Sequence, residues 1–99
     1  MTLDLPRLAS SREAADALVS RISDDVKDAS VTINCRDLLS GSPSFADQLV
    51  KRLLVEKEAK ELVLVGAPRD FTSYVRDSAT SRSVATRVRE AAAGAAGSA

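Results

Sequence analysis

VTINC (31–35), RDLLSGSPS (36–44) and FADQLVKRLL (45–54) read in turn as a strand, a polar turn and a helix. In an extended chain Val31, Ile33 and Cys35 fall on one side and Thr32 and Asn34 on the other. The β-branched content favours a strand with one face in the core and the other only partly covered. Phe45, Leu49 and Leu53, with Ala46, Val50 and Leu54 beside them, form a wide apolar stripe. That stripe predicts a helix over about residues 44–58, packed on the sheet. Between the two lies a Ser/Gly/Pro turn. A strand delivered through such a turn into a helix gathers backbone N–H groups and hydroxyls at the helix N-terminus, so a functional surface is expected there.

Working outward toward the N-terminus, Thr2, Leu3, Asp4 and Leu5 alternate in polarity, which fits a short edge strand ended near Pro6. Ser10 precedes Glu13 at capping-box spacing. Ala14, Leu18, Ile22 and Val26 then recur every four residues, predicting an amphipathic helix over about residues 11–27 whose polar face is solvated. Toward the C-terminus, ELVLVG (61–66) is continuously apolar over Leu62–Val65, as an inner strand covered on both faces would be. Ala67-Pro68 ends it, and Asp70, Phe71, Tyr74, Val75 and Ala79 predict a third helix from about residue 69. Val84 and Val88 fit a helix or an alternating strand, and the helix is preferred. The end of the chain, AAAGAAGSA (91–99), is small and of low complexity.

The order β-α-β-α-β-α with short connections implies an α/β domain: a small single-layer sheet of three to four mostly parallel strands, amphipathic helices and right-handed crossovers. The domain is expected to span residues 1–82. Residues 83–99 are expected to be a C-terminal helix or a frayed tail.

Composition excludes several functions. The chain has 99 residues, one domain by the usual size prior, and its 14 basic and 14 acidic side chains give a net charge of +0. No global field would attract nucleic acid, and the segmental imbalance is mild: residues 1–30 hold four basic against six acidic groups, residues 67–99 five against three. Cys35 is the only cysteine and there is no histidine. A disulfide within the chain, a Cys/His metal site and a Ser-His or Cys-His nucleophile pair are all excluded, and no cofactor is expected. Glycine-rich phosphate loops are absent. The carboxylate pairs Asp24/Asp25 and Asp37/Asp47 are what chance gives at this density of acids, so no enzyme is expected. No apolar run approaches the ~20 residues that span a bilayer, and the first residues lack a signal-peptide layout, so a cytoplasmic protein is expected.

The turn SGSPSFAD (40–47) is the most informative remaining feature. Ser44 and Asp47 have capping-box spacing, while Pro43 suits the first helical position with Ser42 as the cap. Either cap explains the serines structurally. A recognition or modification site is the competing reading.

LASSREAADAL (8–18), VTINCRDLLSGSPSFADQL (31–49) and the following ELVLVG strand resemble the STAS-like family, small domains related to anti-sigma factor antagonists and to sulphate-transporter C-terminal domains. The similarity covers about residues 2–80. Its most specific pieces are Ser11-Arg12-Glu13 and Ser44-Phe45-Ala46-Asp47, in the family's order and spacing. The family implies a bacterial-type regulatory module that binds a protein partner, an anti-sigma factor or kinase-like ATPase, with a Ser or Thr at this helix start phosphorylated by that partner. Within the match, Asn34 stands where Asp is usual, Cys35 replaces an aromatic residue and Gln48 replaces Glu. A gapless match sets Pro43 at the phosphoacceptor position and Ser44 one residue later.

The expected partner surface is therefore Arg36, Asp37, Ser40, Gly41, Ser42, Ser44, Asp47 and Gln48, with Ser44, and after it Ser42, as the candidate for phosphorylation. Neither nucleic acid nor membrane is expected as a partner. Two alternatives stand beside this: a small-molecule or nucleotide sensor using the helix-start N–H groups, and a self-associating accessory subunit or homodimer that docks residues 84–96 as a helix.

Overall fold

The computed structural model describes residues 1–23 and 25–91 of the chain. In chain order its elements are β1 (Thr2–Asp4), β2 (Leu8–Ala9), α1 (Arg12–Val19), β3 (Ser30–Asn34), β4 (Ser40–Gly41), α2 (Pro43–Val50), β5 (Glu61–Val65), α3 (Arg69–Ser81) and β6 (Val88–Ala91). A π-helical segment, Lys51–Glu56, continues α2, and a 3-10 turn, Ala85–Arg87, leads into β6. Four strands form one parallel sheet in the order β1-β3-β5-β6, and β2 and β4 form a separate two-stranded parallel ladder. The α/β architecture expected from the sequence is thus present.

Each crossover steps one strand in the same direction, so right-handed connections bring all three helices to one face of the sheet, where α2 packs between α1 and α3. Register builds the core layer. Val31, Leu62 and Val88 align across the sheet, as do Leu3, Ile33 and Leu64. Against this layer pack Val19 of α1, Phe45, Leu49 and Leu53 of the second helix, and Phe71 and Val75 of α3, all buried. The two phenylalanine rings are tilted by 48° with centroids 6.2 Å apart.

The opposite face carries Thr2, Thr32, Val63 and Arg89 in one row. Asn34 donates to Asp4 at 2.9 Å, Ser30 donates to Glu61, and Arg89 reaches Glu61 at 3.1 Å. Among the described residues no helix covers this face. The expectation that β5 is covered on both faces is therefore corrected: β5 is an inner strand, but Val63 is shielded by its neighbours in the row and Val65 is half-exposed.

Three element boundaries are corrected as well. α1 ends at Val19, eight residues before the expected end at about 27. The N–H groups of Arg21 and Ile22 turn back to the carbonyls of Leu18 and Val19, Asp25 accepts from the Lys27 N–H at 3.0 Å, and Asp28 adopts φ 61. These short polar side chains offer the backbone a local alternative to the helix. Ile22 and Val26 reach the core from irregular chain, so their four-residue spacing imitated a helix. The cap of α1 is Ser11, accepting from Ala14 N–H at 3.1 Å, one residue after the expected Ser10.

The stretch 84–88 is not the preferred helix. Ser83 at φ 61 reverses the chain after α3, and Val88 pairs with Leu62 as the first residue of the fourth strand. Periodicity over so few residues could not register a partner strand that sits 26 positions upstream. The domain consequently runs at least through Ala91, beyond the expected boundary at 82. The remaining tail, 92–99, lies outside the described residues, as does Asp24.

Candidate functional site

Three connections emerge at the C-terminal ends of the parallel strands: 5–11 after β1, 35–42 after β3 and 66–68 after β5. In open α/β sheets this rim is the usual binding edge. The first two connections are stitched together. The Arg7 carbonyl accepts from the N–H groups of Leu39 and Ser40 at 2.9 and 3.1 Å, and Ser42 N–H donates to the Ala9 carbonyl at 2.9 Å, framing the pairs Leu8↔Ser40 and Ala9↔Gly41. Ala9 and Gly41 face inward. Leu8 and Leu39 face solvent, at 68% and 73% exposure, the two most exposed large apolar side chains of the described residues.

Beside them is a recess of about 140 Å³ lined by Leu39, Ser40, Gly41, Pro68, Asp70, Phe71 and Tyr74. A Cβ on Gly41 would lie 2.5 Å from Phe71 Cδ1, so the absence of a side chain lets the rim close onto α3. Gly66 turns the third connection at φ +67 against Arg36.

Of the two caps considered for α2, the structure uses Ser42. Its hydroxyl accepts from Phe45 N–H at 3.0 Å and donates to the Ser10 carbonyl at 3.0 Å, with Pro43 in the first turn. Ser44 is exposed in that same turn. Arg36, Asp37 and Ser40 are exposed on the connection and Gly41 is half-buried in the ladder, so six of the eight expected surface residues share this rim.

The other two belong to a polar seam between helices. Asp47 sits on α2 and accepts from Arg12 of α1 at 2.8 Å, from Ser78 of α3 at 2.7 Å, and from Arg82 at 3.0 and 2.9 Å. The Arg82 hydrogen bonds, with those of Ser78 and Arg12, hold the Asp47 carboxyl far below the usual carboxylate range despite partial burial. Gln48 is buried and donates to Asp16 at 2.8 Å, a carboxylate also held by Arg52 at 3.0 Å. Both carboxylates of the seam are held by partners from within the chain, while Arg52 Nε, 3.2 Å from a Glu56 oxygen, is buried without a hydrogen bond among the described residues.

Sequence reasoning missed Leu8, Leu39, Tyr74 and the Asp47 partners Ser78 and Arg82. Leu39 had a signal, because two adjacent leucines cannot both face inward from a short polar connector. Ser78 and Arg82 had none, since their role depends on where α3 docks.

Cys35 lies directly under the rim, fully buried, with its N–H bonded to the Val65 carbonyl at 2.8 Å. Burial pushes its thiol up to about 11. No group of three or more His, Cys, Asp or Glu side chains among the described residues is placed to hold a metal ion, and no helix of theirs is long and apolar enough to cross a membrane. No protein-family model matches the chain, nor does any curated protein or any solved structure.

Proposed function

We propose that this chain is a non-enzymatic, STAS-like regulatory module of the cytoplasm that binds a protein partner through its 36–44 rim. The observation that carries the reading is the exposure of Leu8 and Leu39 on either side of a rigid backbone ladder. Scattered exposed leucines need no explanation, but two on one hydrogen-bonded ledge, next to a recess that adds polar groups such as Ser40 and Asp70, give a contact patch with little ordering cost. The partner class carried by the family resemblance is an anti-sigma factor or a kinase-like ATPase.

Ser44 is the better phosphoacceptor of the two serines, because Ser42 is already committed in both directions as cap and tether. A phosphate on Ser44 would sit against the start of α2, where the helix dipole tolerates it, while adding about −1.5 to −2 charges to the apolar ledge. Binding would then be lost without unfolding.

The test is site-specific photocrosslinking in the source cells. A probe at position 39 is expected to trap one adduct that a probe at Val55, exposed on the π-helical segment, does not trap. Leu8→Glu and Ser44→Asp should abolish it, whereas Ser44→Ala should retain it. An adduct that survives Leu8→Glu, or one that forms equally from position 55, would remove the rim from consideration.

A further inference from the structure

Among the described residues no strand pairs with the outer side of β1, and the flank of α1 lies beside that edge. β1 ends the strand order, and its odd-numbered residues are committed inward: the Met1 carbonyl accepts from Thr32 N–H at 2.9 Å, and Leu5 N–H donates to the Asn34 carbonyl at 3.0 Å. Strand alternation therefore turns the N–H and C=O groups of Thr2 and Asp4 away from the sheet. Next to this edge a hollow of about 360 Å³ is lined by Leu5, Pro6, Ala14, Ala17 and Leu18 together with the charged Asp4 and Arg21. Glu13, Ala17 and Arg21 follow one another at four-residue steps and are all exposed, so they form a row along α1 and into the turn behind it.

We propose that this edge is the interface with a second copy of the chain, related by a two-fold axis across the sheet edge. The two-fold runs β1 antiparallel to the β1 of the second copy. Centred near Leu3, it aligns Thr2 with Asp4 of the other copy and satisfies the outward backbone groups of both strands; centring on Asp4 would instead oppose two carboxylates. The same operation runs the two α1 helices antiparallel. Turned about Ala17, the row Glu13-Ala17-Arg21 is its own charge complement: Glu13 meets Arg21 of the second copy and Arg21 meets its Glu13, while alanine at the centre allows close approach. Self-complementarity of this kind is what an isologous contact requires, and a surface for an unrelated partner has no need of it. The hollow supplies the buried part of the contact. The result is a continuous eight-stranded sheet with its helices on one side. This interface lies apart from the Leu39 ledge and does not depend on the function proposed for it.

Sedimentation equilibrium of the full chain over a wide concentration range tests the proposal. The wild type is expected to reach dimer mass. Arg21→Glu and Glu13→Arg should each raise the dissociation constant about tenfold, since both symmetry-related pairs become repulsive, and the combined charge swap should recover it. Asp4→Pro removes an outward N–H while sparing the bonds from β1 to β3, and should give a folded monomer by circular dichroism and mass. Monomer mass throughout would overturn the proposal. So would a dimer indifferent to Arg21→Glu, or a charge swap that fails to restore association.

Discussion

Asp47 and Arg82 meet side-on between α2 and α3, Arg82 Nε to Oδ1 at 3.0 Å and Nη2 to Oδ2 at 2.9 Å. Ser78 and Arg12 complete the carboxylate, so one acidic side chain on the middle helix ties both neighbours. Asp47→Ala should lower unfolding free energy by about 2 kcal/mol, because it strands partly buried donors. Arg12→Ala should cost well under 1 kcal/mol, as that side chain is half-exposed and its charge is screened. Urea denaturation at neutral pH measures both.

Acid should reveal the same carboxylates. Asp47 and Asp16 are held below 3.8, and Glu61 falls from 4.5 to about 2 through its hydrogen bonds from Arg89 and Ser30. A carboxyl group with a depressed folded pKa adds stability above its unfolded value and loses that stability as pH falls toward the folded one. With no histidine in the chain, melting temperature should be nearly flat from about pH 5 to 8. It should drop from about pH 4.5 downward, and Asp47→Asn should flatten the part of the drop below about pH 4. A scan of melting temperature against pH in which Asp47→Asn tracks the wild type would contradict this account of the seam.

Cys35 behaves in the opposite sense. Its thiol is raised from 9.0 to about 11, so the native state prefers the neutral form. The stability this contributes is intact below pH 9.0 and declines from there to about 11. A disulfide reagent at neutral pH should label Cys35 only through opening of the fold, at a rate that rises with urea. Immediate stoichiometric labelling of native protein would show instead that the buried thiol is reached without opening of the fold.

Gly41→Ala should destabilise by about 1–3 kcal/mol, since the new methyl group meets the buried Phe71 ring and that ring is hemmed in by Phe45. Phe71→Leu gives up ring contacts on its own but relieves the clash. The double variant should therefore be more stable than the sum of the single losses, by a coupling that a double-mutant cycle in urea resolves.

The strands and helices with strong periodicity were legible: Val31, Ile33 and Cys35 turned one way, and the α3 stripe began where Pro68 allowed. What was illegible is where sequence-local signals yield to distant partners. Val88 is a strand residue because Leu62 lies beside it, and Asp47 is a clasp because Arg82 arrives from another helix. Val26 reached the core by a bent path that spacing alone reads as a helix turn. The candidate rim was found through its turn chemistry, while its apolar ledge was not, because the exposure of Leu8 and Leu39 follows from the ladder between β2 and β4, two residues each and too short to leave a pattern.

The strand order β1-β3-β5-β6 has a kinetic consequence. Each strand of the large sheet docks on the one that precedes it in the chain, and no later segment has to be inserted between two earlier ones. A chain emerging from a ribosome can therefore add one strand-helix unit at a time, with only the newest strand waiting for a neighbour and each loop closure kept short. Within these strands the growing edge always moves away from β1, so among the described residues no later strand of this sheet covers Thr2 and Asp4.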